Sequence, residues 1–180
     1  MDLASFHVVD EVGAMVPKEV EKIASEVEEF VFKNKLAGQV DVSSDERGAI
    51  ITLSGTVLFP AGKSRMTSVG NDLIKQVFGL LQQFNYNVKL EGHKDNSPIR
   101  IEQFPSNWEL SAARAPEVAR ELVEAGSSST QLSVEGFAQY RPKVPNYSSQ
   151  ARAINRKIEI VYQRGSVRKH MVDLLRRNSR

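Results

Sequence analysis

VKLEGHKDNSPIRIEQFPSNWELSAAR, residues 88–114, is the stretch whose pattern decides the fold. A short strand over Asn87 to Glu91 ends at Gly92, and a polar loop runs on to Pro105. Ser106-Asn107-Trp108-Glu109 then has the spacing of a capping box, with Ser at the cap and Glu at the third helical position. The helix it opens runs to Ala125 and stops at Gly126. Pro116 lies inside that helix, removes the backbone bond to Ala112 and is expected to kink it. Asp95 therefore sits in a loop between strand and helix, and Arg114 two turns into the helix on the face of Leu110.

Upstream, Val16, Val20, Ile23, Val27 and Phe30 recur at 4-3-4-3 spacing and make one stripe on a helix from about Pro17 to Lys35, with Pro17 suited to its first turn. The other face is acidic, with Glu19, Glu26, Glu28 and Glu29. The stripe must be buried, on the chain's own domain or against a second copy. Val40 and Val42 alternate with polar neighbours, Ser43 to Gly48 reads as a turn and Ala49 to Leu53 is β-rich, which makes a hairpin. Val69, Leu73, Val77, Leu80 and Phe84 predict a second helix.

Downstream, Leu132 to Phe137 reads as a strand, Arg141 to Asn155 as a loop with a short helical turn, and Ile158, Ile160 and Tyr162 line one face of a last strand. The order β-β-α-β-α-β-β implies an α+β, two-layer fold in which helices pack on one face of a mixed sheet. The expected organisation is a linker helix region over 1–48, one domain over 49–163 and a basic tail over 164–180. Val167, Met171, Leu174 and Leu175 in that tail are spaced as a loosely ordered amphipathic helix.

Composition bounds the function. The 180 residues include 41% hydrophobic and 26% charged residues, a globular balance with enough chain for a real core. With no cysteine there is no disulfide, thiolate zinc site or cysteine nucleophile. Residues 1–48 hold 5 Lys/Arg against 11 Asp/Glu, and residues 164–180 hold 6 against 1, around a nearly balanced centre. Opposed zones of this kind are not a nucleic-acid surface, so no nucleic-acid partner is expected.

Motifs for other chemistries fail on inspection. Ala61-Gly62-Lys63-Ser64 resembles the end of a phosphate-binding loop, but the position that needs Gly is Val57. His93, Asp95 and Ser97 are alternating neighbours, which rarely converge on one reacting atom, so no catalytic residue is assigned. His7, His93 and His170 lack metal-ligand spacing, and neither a metal nor a cofactor is expected.

Asp95 and Arg114 remain. A carboxylate and a guanidinium at opposite ends of one pocket, beside a helix N-terminus whose free N–H groups favour an anion, suit a zwitterion. The same two residues could instead form a salt bridge holding loop to helix. Residue chemistry alone leaves both readings open.

Gly92-His93-Lys94-Asp95-Asn96, then Asn107-Trp108-Glu109-Leu110-Ser111-Ala112-Ala113-Arg114-Ala115 with Val118 and Leu122, resembles the G-H-T-D-N and N-x-x-L-S-x-x-R-A-x-x-V-x-x-x-L pattern of OmpA-like peptidoglycan-binding domains. Arg152-Ala153-Ile154-Asn155-Arg156-Lys157-Ile158-Glu159-Ile160 is similar to their closing R-A-x-N-R-R-[IV]-E-I strand. The three motifs occur in order over about residues 50–163. Within the family, Pro98-Ile99 and Phe104-Pro105-Ser106-Asn107-Trp108 look most like the flagellar stator B-subunit branch.

The resemblance implies a non-enzymatic wall anchor in the periplasm. Asp95 and Arg114 would grip the ammonium and carboxylate of diaminopimelate in the wall peptide, with Asn96, Asn107 and Leu110 shaping the pocket and Arg156 close by. It also implies a homodimer and a stator A subunit as partner, reached through an inner-membrane helix that carries an ion-accepting carboxylate. No apolar run here has that length, so the chain is expected to be a truncated fragment starting at Met1-Asp2. The alternative is a general wall-tethering lipoprotein or outer-membrane protein domain without a motor role. Lys94 stands where the family usually has Thr, and Lys157 where it has Arg.

Overall fold

The computed structural model describes the backbone of residues 3–178 and the side chains of residues 10–178, so Met1, Asp2 and the His7 side chain lie outside the described residues. Twelve segments alternate along the chain. Helix α1 (Leu3–Lys33) leads into the hairpin β1 (Val40–Asp45) and β2 (Gly48–Ser54). One turn of helix, α2 (Gly55–Leu58), and α3 (Ser68–Leu81) precede β3 (Val88–His93) and α4 (Asn107–Ala125). After a 3₁₀ turn at Ser129–Gln131 come β4 (Leu132–Gly136), α5 (Ser149–Asn155), β5 (Lys157–Gln163) and α6 (Arg164–Asn178).

The five strands form one sheet in the order β1-β2-β5-β3-β4, antiparallel throughout except for the parallel β3 and β4. This is the mixed sheet that the sequence predicts. Ile51, Ile160 and Leu90 stand in register across three strands, and strand alternation puts Ala49, Leu53, Ile158, Tyr162 and Val88 on the same face. The apolar stripes of α1, α3, α4 and α6 all join these residues in one core cluster. The helices thus cover one face of the sheet, a two-layer architecture.

Helix α1 starts earlier than the Pro17 signal indicates. Its stripe continues upward through Val16 and Val12, both buried, with Val20, Ile23 and Val27 below. Pro17 sits inside the helix, where it forfeits one bond to the carbonyl of Gly13. Both residues are exposed, so water can satisfy that carbonyl. The stripe is buried on the chain's own domain, as one of the two readings has it. Tyr86 Oη donates to Glu19 (2.8 Å) and Gln83 Nε2 to Glu26 (2.5 Å), tying the acidic side of α1 to the segment after α3.

The basic segment after residue 163 is also firmer than its composition implies. Val167 and Met171 are buried in the core cluster and α6 packs on α1, so the acidic and basic ends of the chain lie side by side. Helix α4 runs unbroken through Pro116 from its Ser106 cap to Gly126, the limits that the capping box and Gly126 set in the sequence. Among the described residues no helix is long and apolar enough to cross a membrane.

Candidate functional site

Two glycines seat the helix that carries Arg114. Gly92 and Gly136 are register partners on β3 and β4. A Cβ on Gly92 would stand 2.1 Å from the Ser111 carbonyl oxygen, and one on Gly136 would stand 2.6 Å from the Ala112 nitrogen. Only residues without side chains allow α4 to lie this close to the strands. The contact is fixed by Ser111, whose Oγ accepts from Ala138 N–H (3.0 Å), and by Lys94 N–H donating to Ala138 O (2.8 Å).

Beyond β3 the chain turns around Asp95, which is fully buried. Its Oδ1 accepts from Lys94 Nζ (2.5 Å) and from Ser97 N–H (2.9 Å). Its Oδ2 accepts from Arg156, which follows α5. Burial by itself raises the Asp95 carboxyl, but the bonds from Lys94 and Arg156 outweigh it and hold it below the usual carboxylate range.

Arg114 approaches from α4, the residue only 3% exposed. Nε donates to Lys63 O (2.9 Å), Nη2 donates to Pro60 O (3.3 Å), and the group lies 4.9 Å from the centre of the Phe59 ring. Among the described residues no carboxylate lies within ion-pair distance of it, Asp95 included. Burial and the nearby charge of Arg156 bring it down to about 10, against the opposing pull of Asp95. It stays charged at neutral pH and buried, with no carboxylate among the described residues in direct contact with it.

Lys94, Asp95, Arg114 and Arg156 line one cavity of about 270 Å³, whose wall also includes Phe59, Ala61 and Gly62. Three cations surround one carboxylate, so the lining carries a net charge of +2. The loop that resembles a phosphate-binding motif forms part of this wall. Its contribution is the backbone carbonyl of Lys63 that orients Arg114.

Of the residues singled out in the sequence, the fold brings Asp95, Arg114 and Arg156 together. Asn107 lies behind the loop, donating to Ser97 O (3.0 Å) and more weakly to Asp95 O (3.4 Å), so it shapes the turn. Leu110 is fully buried in front of Arg114 along α4 and does not line the cavity. Asn96 is exposed and does not line it either. Phe59 and the carbonyls of Pro60 and Lys63 are missed by sequence reasoning, since backbone acceptors more than 50 residues from Arg114 leave no residue-type signal.

His93 takes no part in this cavity. Strand alternation sends it to the other face of the sheet, where its ring stacks on Phe137 at 5.2 Å and lies 3.5 and 3.6 Å from Glu91 and Glu159. Glu91, His93 and Glu159 are the one group with metal-ligand geometry among the described residues. Arg47 already bonds Glu91 (2.8 Å), and Lys157 bonds Glu159 (2.5 Å). The His93 ring, joined by Arg47 at Glu91 and by Lys157 at Glu159, prevails over burial and holds both carboxyls below their ordinary range.

The OmpA family profile matches residues 58–156, which include the whole Asp95–Arg114–Arg156 constellation. The chain belongs to the OmpA family. Motility protein B of Bacillus subtilis is 31% identical over 146 residues, 80% of this chain and 56% of that protein. The chain therefore spans a little over half the length of this relative.

Among solved structures, the cell wall anchor of the T6SS from Pseudomonas aeruginosa superposes with a TM-score of 0.69 at 31% identity, covering 75% of this chain and 95% of that one. A putative MotB like protein from Desulfovibrio vulgaris superposes with a TM-score of 0.78 at 24% identity, covering 84% and 94%. The latter likeness extends the shared OmpA-like fold over most of the chain.

Proposed function

We propose that this OmpA-family domain anchors a larger assembly to the cell wall by binding peptidoglycan non-covalently in the Asp95–Arg114–Arg156 cavity. The observation that carries the reading is Arg114: a buried guanidinium, held by two carbonyls and a ring, with no carboxylate among the described residues within ion-pair distance, in a cavity of net charge +2. Such a site gains most from an anion. A wall stem peptide that ends a side chain in a carboxylate, as diaminopimelate does, supplies one. Asn107, Leu110 and Asn96 act indirectly in this scheme, through the loop and the helix face that hold the cavity open.

The assembly is a flagellar stator. The likeness to Motility protein B over 80% of the chain supports this. The domain then works in the periplasm as part of a homodimer, and joins a stator A subunit through an inner-membrane helix outside these residues. The likeness to the T6SS anchor favours a second reading, a general wall tether with no motor role. The segment preceding these residues in the native protein separates the two, since one apolar helix with an Asp fits the stator and a lipobox or β-barrel fits the tether.

Binding proceeds without bond cleavage. Asp95 has both oxygens engaged by cations, and the His93 ring lies on the opposite sheet face, so the two do not form a relay with Ser97. Co-sedimentation of the chain with purified wall sacculi, with and without Arg114→Gln, tests the reading.

A further inference from the structure

We infer that Lys94 occupies the ammonium position of this cavity, so that the ligand is selected by its carboxylate and needs no amine. The inference rests on the wall-binding reading and narrows its ligand class. Among the described residues Asp95 is the one carboxylate lining the cavity, and none of them offers a ligand ammonium another anionic partner there. Its Oδ1 already holds Lys94 Nζ at 2.5 Å together with the Ser97 N–H, and its Oδ2 holds Arg156.

An incoming ammonium would be the third cation on a single carboxylate, close to a fourth in Arg114. To reach Asp95 it must expel Lys94, exchanging one ammonium for another with no gain in charge pairing. Lys94 is also poorly placed to leave. Its side chain is only 10% exposed, and its backbone N–H is fixed to Ala138 O. Arg114 presents the opposite case, because a ligand carboxylate there replaces no protein anion.

The ligand that fits is therefore a chain ending in a carboxylate, whether the adjoining carbon bears a free amine, an acylated amine or none. Lys94 is a specificity-determining residue by this argument. Replacing it with a neutral side chain frees Oδ1 and opens a true ammonium site.

Three stem peptides test this by calorimetric titration of the whole chain. One carries meso-diaminopimelate, the second carries 2-aminopimelate, which keeps the terminal carboxylate without its amine, and the third carries lysine, which keeps the amine without the carboxylate. The wild type should bind the first two within about threefold of each other and the lysine peptide at least about tenfold more weakly. Lys94→Met and Lys94→Thr should favour the diaminopimelate peptide over 2-aminopimelate by about tenfold or more. A wild type that already prefers the diaminopimelate peptide tenfold overturns the role of Lys94 while leaving wall binding intact. Failure of the wild type to bind any of the three overturns both. The wild-type comparison decides the matter even where a Lys94 variant does not fold.

Discussion

Arg114 and Asp95 line the same cavity without forming an ion pair. Each is held separately, Asp95 by Lys94 and Arg156 from the strand ends, Arg114 by the carbonyls of Pro60 and Lys63 from the loop after α2. Of the two arrangements that the residue types allow, the salt bridge from loop to helix is the one the fold does not adopt. A guanidinium oriented in advance by neutral acceptors loses little freedom when an anion arrives, which favours binding.

Ligand should therefore stabilise the folded chain through Arg114. A ligand at about 100 times its dissociation constant adds about 2.7 kcal/mol to the stability of a protein it binds only when folded. For a chain of this size that raises the melting temperature by roughly 2–4 °C per kcal/mol. A thermal melt with a stem peptide ending in a carboxylate should show this rise for the wild type and, at the same peptide concentration, about half of it or less for Arg114→Gln.

The glycine seat should be intolerant. Gly92→Ala would drive a Cβ into the Ser111 carbonyl and Gly136→Ala would drive one into the Ala112 backbone, neither of which is a flexible side-chain end. Overpacking of this sort costs about 1–3 kcal/mol or more, and here it also moves Arg114 away from the cavity. Gly13→Ala, with nothing within 4 Å of its Cβ, should instead stabilise α1 by about 0.5–1 kcal/mol. Urea denaturation of the three variants checks the contrast.

Helix α1 should behave as part of the core. Ile23 is fully buried in the core cluster, and Phe32, five residues beyond Val27, is 86% exposed. Ile23→Ala is expected to lower the unfolding free energy by about 2–5 kcal/mol, the range for a buried isoleucine. Phe32→Ala should change it by no more than about 0.5 kcal/mol. Equal, small effects from both would show a helix that only rests on the domain.

The charged face of the sheet fixes the acid response. Glu91 and Glu159 are directly opposed register partners, a like-charge pair that Arg47 bridges at 2.8 and 3.4 Å. With Asp95 they make three carboxyls whose folded values are depressed. A depressed folded value means that the stability these groups contribute is present above the unfolded range of about 4 and is lost as pH falls through the folded values. Urea denaturation should show stability level near neutrality and declining below about pH 4. Arg47→Met, which leaves the two glutamates facing each other, should destabilise more at pH 7 than at pH 3.

Much of this arrangement is legible in the sequence because local physics writes it. Ser106 and Gly126 bracket α4 by capping alone, and the alternation of Ile158, Ile160 and Tyr162 names the face that meets the helices. Gly92, Asp95 and Arg114 are fixed to one neighbourhood by a strand, a loop and two turns of helix. Contacts between distant segments are not written that way. Pro17 looks like a helix start, yet buried Val12 and Val16 extend α1 past it. The last segment looks frayed from its charge, yet the face that α1 offers to Val167 and Met171 orders it. Whether Arg114 pairs with Asp95 depends on the Lys63 carbonyl 51 residues away, a backbone acceptor with no residue-type signature.

The central claim, that Arg114 receives a carboxylate of the wall, is tested most directly by co-sedimenting the purified chain with isolated sacculi. Wild type should pellet with the wall. Arg114→Gln, which keeps side-chain hydrogen bonding and removes the charge, should lose a charge-assisted bond of about 1.5–3 kcal/mol and bind roughly ten- to a hundredfold more weakly. Circular dichroism should show the variant's fold unchanged. Folded Arg114→Gln that pellets as well as wild type would contradict the assignment of this cavity.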